Sequence, residues 1–386
     1  MRFSKNSAST FLTAFIFVAV ACALHFSTVG EAGPLPPAPR LEVTVVATGL
    51  HNPRGLNFAP NGGLYVAEAG GNGTPTDLCG VMGDGNEKCA AFTGSIARID
   101  VDSGELTRVL TGLPSLIGAE GPANGATGPH DVVFQGMGNG YFSIGLGGDP
   151  TLREDYFEEF AHNYDRVARF NPSGRYSLQQ DLGDYEAVNN PDGFVPDSNP
   201  YGLLALPGAL IVADAGGNDL LKISANGNIS TFAVFPRVNR PPGVPPPNVT
   251  SVQAVPTSVT QCPDGNLYVG QLTGGPFTVG IASVYRVPQG GGAPEIVYTG
   301  FTNIIDVTCG PDGSLYVLEI AQNAIPNFGG GGRIVLIEPD GTRSVVLSGP
   351  QYLFAPGGIA VGKDGALYVT VASISATDGA VIRIEL

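Results

Sequence analysis

The sequence predicts an all-β fold: a six-bladed β-propeller of four-stranded blades, its ring closed by an N-terminal strand that completes the last blade. Three observations predict it. First, one phrase recurs six times along the 386 residues. An apolar strand leads to a turn of the Pro-Asp-Gly or Asn-Gly kind, then to Leu-Tyr-Val or a variant of it, beginning at Leu64, Gly140, Leu210, Leu267, Leu315 and Leu367. Second, the chain holds 56 Gly and 32 Pro with 43% hydrophobic and only 14% charged residues. That suits short strands joined by tight turns and is too apolar for a disordered chain. Third, the last unit lacks a fourth strand, while "LEVTVVATG" (residues 41–49) stands without an owner at the other end. It matches the fourth-strand phrases "LTRVLTG" and "EIVYTG".

The elements follow in chain order. Arg2 and Lys5 precede the apolar run "FLTAFIFVAVACAL", which is too short to span a bilayer comfortably, and "GEA" fits a cleavage site. Residues 1–32 therefore read as a secretory signal peptide, with an uncleaved anchor or lipidation at Cys22 as the alternatives. Residues 33–40 are a Pro-rich lead-in, and residues 41–386 form a single propeller domain. In its first unit "GLNFAPNGGLYVAEA", "GSIARID" and "LTRVLTG" supply the four strands, and the later units repeat the scheme. A four-stranded unit of this kind buries its apolar faces only against its neighbours. Ring closure then removes the exposed edge that an open array would leave. "PPGVPPPNV" reads as an extended connector between the third and fourth units.

The turns between first and second strands are short, whereas long loops follow the second strands at residues 69–94, 146–165, 271–282 and 320–332. The 146–165 loop reads as including a short helix. In an antiparallel hairpin the end of the second strand lies beside the start of the first. The long loops should therefore share one face with the residues that open each blade, and that face is expected to carry function. First strands begin at Arg54, His130-Asp131, Tyr201 and Asp306; second strands end at Glu68, Asp214 and Glu319. These eight are the candidate ligand residues of the channel mouth. The carboxylates Glu68, Asp131, Asp214, Asp306 and Glu319 are a candidate set for a hard cation such as Ca²⁺, which takes six to eight oxygens. His130, Asp131 and Arg54 are the catalytic candidates, with His130 as a proton carrier. The plainer reading of each is a polar channel wall that bonds water and the next blade.

Of five Cys, Cys22 lies in the signal segment. An even number remains, which in an exported chain points to disulfides. Cys79 with Cys89 closes a short loop and is the first expected pair; the pairing of Cys262 and Cys309 stays open. A net charge of −15 and a pI near 4.5 argue against nucleic acid and anionic membrane surfaces as partners. No G-x-S-x-G elbow, H-E-x-x-H pair or phosphate-binding Gly-Lys-Ser/Thr occurs.

At "NPRGLNFAPNGGLYVAEAGG", "GSIARID", "GPHDVVF" and "GPDGSLYVLE" the chain resembles the ScyD/ScyE family, over nearly all of its mature length. The Pro-Asp-Gly-x-Leu-Tyr-Val phrase is shared with NHL, SMP-30/gluconolactonase, strictosidine synthase-like and soluble sugar dehydrogenase propellers. The resemblance implies an exported propeller, linked in some cyanobacteria to the sunscreen pigment scytonemin, and implies no known reaction. Neither the full Ca²⁺ ligand set of the lactonases nor the quinone-binding set of the dehydrogenases is matched. Three functions stay open. One is a monomeric binding or scaffold protein that engages a small molecule, glycan or protein on its long-loop face. The second is a metal-dependent lactonase or esterase. The third is a quinone-dependent sugar dehydrogenase with Arg54 and His130 at the cofactor.

Overall fold

The computed structural model describes residues 41–118, 125–136, 138–171, 173–325 and 328–386. The expected signal peptide and lead-in, residues 1–40, lie outside the described residues. Six antiparallel sheets follow one another. Blade 1 comprises Pro53–Phe58, Leu64–Glu68, Glu87–Ile99 and Leu106–Gly118, with a short extra strand at Cys79–Val81. Blade 2 comprises Pro129–Gln135, Asn139–Ile144, Arg166–Phe170 and Tyr176–Asp181. Blade 3 comprises Pro200–Leu206, Ala209–Asp214, Asp219–Ser224 and Ile229–Val234. Blade 4 comprises Pro256–Gln261, Leu267–Gln271, Ala282–Val287 and Glu295–Phe301. Blade 5 comprises Ile304–Cys309, Leu315–Glu319, Arg333–Ile337 and Arg343–Ser348. Blade 6 takes Gly358–Val361, Leu367–Val371 and Gly379–Glu385 from the C-terminus and Glu42–Leu50 from the N-terminus.

The last blade closes as its missing strand requires. Glu42–Leu50 runs antiparallel to Gly379–Glu385, from Glu42 opposite Glu385 to Leu50 opposite Gly379. The Thr370 hydroxyl adds a bond from blade 6 to the Arg54 carbonyl of blade 1 at 2.8 Å.

Second strands such as Leu64–Glu68, Ala209–Asp214 and Leu315–Glu319 are buried at every residue. Each has a neighbouring blade on both faces, so strict apolar-polar alternation is lost there. Fourth strands lie at the rim, and Arg343–Ser348 is correspondingly exposed at its first three residues. The core therefore lies between blades: Leu64 and Val66 meet Tyr368 and Val381 across the closure, and Ile211 meets Val259 and Val269 between blades 3 and 4.

Several elements depart from the simple unit. The 146–165 loop carries a helix at Arg153–Phe157 between two 3₁₀ turns, as expected. A second helix, Leu182–Asn189, begins where the sequence reads as the tail of a strand. Asp181 caps it by accepting from the Asp184 N–H, and Asn190 ends it in the left-handed region. The Pro-rich connector is flanked by a two-stranded ribbon, Val238–Asn239 with Ser251–Val252.

Cys79 and Cys89 are direct cross-strand partners and are bonded, with Cα atoms 3.9 Å apart. Cys262 and Cys309 are also bonded, with Cα atoms 5.4 Å apart, and link blade 4 to blade 5. Two disulfides fit an oxidising, extracellular or periplasmic environment. Among the described residues no helix is long and apolar enough to cross a membrane.

Candidate functional site

Two carboxylates face the central channel in the same way. Asp131 Oδ1 accepts the next residue's N–H, from Val132, and Oδ2 accepts the Leu203 N–H of blade 3, both at 2.8 Å. Asp306 repeats this with Val307 and, in blade 6, Ile359, again at 2.8 Å. Each acid thus ties its own first strand to that of the next blade. Gly55 makes room for the first of them, because a Cβ there would overlap Asp131 Oδ1.

Neither acid has an ion-pair partner among the described residues. Burial pushes Asp131 up to about 7. Burial, followed by the charge of Asp131, holds Asp306 well above the usual carboxylate range. Near neutral pH the pair therefore resists carrying two charges and can both donate and accept hydrogen bonds. A cavity of about 380 Å³ adjoins them, lined also by Asn57, Thr260, Thr308 and Lys363. Its lining runs from the carboxylates toward the short-turn end of the channel, away from the long loops.

The long-loop end of the channel holds Arg54, His130 and Tyr201. Arg54 Nη2 donates to the Ala126 carbonyl at 2.8 Å, its Nε is buried without a partner, and its charge lies beside the Tyr201 hydroxyl. The His130 and Tyr201 rings stack with centroids 4.4 Å apart. His130 Nδ1 lies 3.2 Å from the Pro200 carbonyl, which assigns the proton to that nitrogen. Burial, then the Arg54 charge, lowers His130 to about 3. The lowered value favours the neutral imidazole near pH 7.

The remaining acids go elsewhere, so the five-carboxylate cation ring does not form. Glu68 is fully buried. It receives a fork from Arg108 at 2.9 Å on each oxygen, the Ser95 hydroxyl at 2.6 Å and the His51 N–H at 2.7 Å. Glu319 is fully buried, held by the Arg333 fork and by the Thr302 N–H at 2.6 Å. Both are spent on positioning their own blades. Asp214 occupies the matching place in blade 3. It accepts the Asn199, Gly216 and Gly217 N–H groups on Oδ1 and the Ser198 hydroxyl on Oδ2. It lies in a shoulder between blades 2 and 3 among Asp165, Glu186, Asp197 and Asp219, which the repeat comparison does not find. The signal for Glu186 and Asp197 was the acid-rich stretch "DLGDYEAVNNPDGFVPDS", an insertion between blades 2 and 3.

One trio, His162, Asp181 and Asp184, has metal-like spacing. It is already served by a cation, because Arg153 Nη2 reaches Asp181 at 2.8 Å, Asp184 at 2.6 Å and His162 Nδ1 at 3.1 Å.

No protein-family model matches the sequence, and no curated protein matches it. Solved structures share its architecture. A protein of unknown function from Bacteroides thetaiotaomicron superposes with a TM-score of 0.54 at 11% identity, covering 90% of this chain and 76% of that one. A putative gluconolactonase gives 0.50 at 14% identity, covering 89% and 92%. An aldose sugar dehydrogenase from Streptomyces coelicolor, bound to PQQ, gives 0.46 at 13% identity, covering 91% and 100%. At such identities the likeness is one of fold, of the six-bladed gluconolactonase or SMP-30 type, and one fold hosts many chemistries.

Proposed function

We propose that the protein is an exported binding propeller whose channel cavity takes a small polyhydroxylated molecule between Asp131 and Asp306. The observation that carries this is the facing acid pair. Each carboxyl spends part of its capacity on the neighbouring blade, and together they offer donor and acceptor at one polar cavity of about 380 Å³. Hydroxyl groups match such a pair, and the size suits a monosaccharide-sized ligand. The metal-dependent hydrolase is the weaker reading, since Glu68 and Glu319 are committed to arginines and leave the channel without a cation ring. The apolar N-terminal run, the two disulfides and the ScyD/ScyE resemblance support export and a binding role.

The test is a thermal-shift and calorimetric screen of monosaccharides, polyols and sugar lactones. At least one member should raise the melting temperature by a few degrees without being consumed. The shift should vanish in Asp306→Asn and in Thr308→Phe, which fills the cavity from its wall. No binding anywhere in the panel, or binding indifferent to Thr308→Phe, would contradict the proposal.

A further inference from the structure

The shoulder between blades 2 and 3 gathers four carboxylates, Glu186, Asp197, Asp214 and Asp219, that no Lys or Arg among the described residues neutralises. Asp214 ends the second strand of blade 3 and is directly opposite Asp219, which opens the third. Helix Leu182–Asn189 brings Glu186 over them, and the segment leading into blade 3 brings Asp197. Asp214 is 1% exposed, Asp219 1% and Glu186 2%. Both oxygens of Asp219, Oε1 of Glu186 and Oδ1 of Asp197 are buried without any hydrogen-bond partner. Asp165, fully buried on the blade 2 side, likewise has two unpartnered oxygens, though Arg153 Nη1 stands 3.9 Å away. Among the described residues no Lys or Arg forms an ion pair with Glu186, Asp197, Asp214 or Asp219.

Three of these residues converge beside Gly217, and Asp219 stands directly across the sheet from one of them, Asp214. An ideal Cβ built on Gly217 would sit 3.4 Å from Asp214 Cγ, 3.4 Å from Glu186 Oε2 and 3.6 Å from the Asp197 carbonyl oxygen. The repeat shows what is missing there. In blade 5 the residue directly opposite Glu319 is Arg333, and the two form an ion pair. In blade 3 the same register position opposite Asp214 holds Asp219, so an acid replaces the cation. Unpaired buried carboxylates are costly, and burial with the charge of Asp214 drives Asp197 to about 7 and Glu186 to about 8. Asp219 is held well above the usual carboxylate range by the same two causes.

We propose that Glu186, Asp197, Asp214 and Asp219 hold one Ca²⁺ ion, which takes the structural place that Arg333 fills in blade 5. The donors are all oxygens, with carboxylates and a backbone carbonyl in reach and no His or Cys, which is the chemistry of a hard cation. The carboxylate oxygens do not meet within 4.8 Å as those of the exposed trio do. Both oxygens of Asp219 and Oε1 of Glu186 have no hydrogen bond to break when they turn toward an ion. The larger ion with its flexible shell suits such a site better than Mg²⁺, which demands near-octahedral order. The site lies off the channel and does not rest on the ligand proposed for it.

The experiment uses the full mature chain, stripped with chelator and titrated with CaCl₂ by calorimetry and thermal melting. One Ca²⁺ should bind per chain, and millimolar Ca²⁺ should raise the melting temperature by ~4 °C or more through mass action. Asp219→Asn should be at least as stable as the parent in chelator and should lose the Ca²⁺ response. Asp306→Asn, in the channel, should keep it. No Ca²⁺ binding to the parent overturns the proposal. So does an equal response to MgCl₂, a retained response in Asp219→Asn, or a response lost in Asp306→Asn.

Discussion

Blades 3 and 5 solve one structural problem in two ways. In both, an acid at the end of the second strand accepts the N–H of the residue leading into the first: Thr302 for Glu319, Asn199 for Asp214. Blade 5 then neutralises its buried acid with Arg333 from the facing position, and blade 1, where Ser95 faces Glu68, does so with Arg108 from its fourth strand. Blade 3 has Asp219 there and packs further acids against it. The repeat thus preserves the backbone-capping role while the charge balance differs. The difference teaches that a shared position in a propeller need not share a chemistry. Glu68 and Glu319 are paired within the chain, whereas around Asp214, itself hydrogen-bonded on both oxygens, Asp219, Glu186 and Asp197 keep unpartnered oxygens.

The comparison can be broken first from its complete side. Glu319→Ala leaves Arg333 and the Thr302 N–H without their acceptor, as Glu68→Ala does for Arg108, Ser95 and the His51 N–H. Removing one partner of a pair whose acid is fully buried should cost ~3 kcal/mol in a denaturant melt, in the presence or absence of Ca²⁺. A loss below ~0.5 kcal/mol would mean that the forks add nothing. A smaller effect sharpens the other side. Asp219→Arg places in blade 3 the residue that blade 5 carries at that position. In chelator this variant should exceed the parent by ~1 kcal/mol, and added Ca²⁺ should change it little. A metal-free variant less stable than the metal-free parent would deny that the missing cation is the defect.

The fold was legible because repetition is a strong signal. Six copies of the strand-turn-strand phrase, and an orphan strand ending in Thr-Gly, fix blade number and closure without any contact being known. The Cys79–Cys89 bond was legible for a similar reason, being local. Cys262 with Cys309 was not, because it depends on how close two neighbouring blades approach.

The site was legible only in part. Position in the repeat located Asp131, Asp306, Arg54, His130 and Tyr201 at the channel. It could not say where a side chain turns. Glu68 and Glu319 turn to arginines that lie on later strands of their own sheets, and the eye for channel mouths misses that. His130 reads as a proton carrier because histidines are few, and the sequence could not show that burial, then the Arg54 charge, lowers its pKa. The shoulder acids Glu186 and Asp197 escaped because they lie in an insertion, where no repeat gives a frame, and Asp219 escaped because it opens a third strand, a position the search for channel mouths passes over. Helix Leu182–Asn189, which carries Glu186, begins inside a phrase that alternates like a strand.

The central claim is that blade 3 recruits from solution the cation that blade 5 encodes in its sequence. Anomalous scattering from crystals of the mature protein grown with Ca²⁺, or soaked with a lanthanide in its place, tests it most directly. The account predicts one strong peak beside Gly217, within ~2.3–2.6 Å of oxygens from Asp214, Asp219 and Glu186 when Ca²⁺ is the ion. A peak in the channel between Asp131 and Asp306, or no peak at the shoulder between blades 2 and 3, would contradict it.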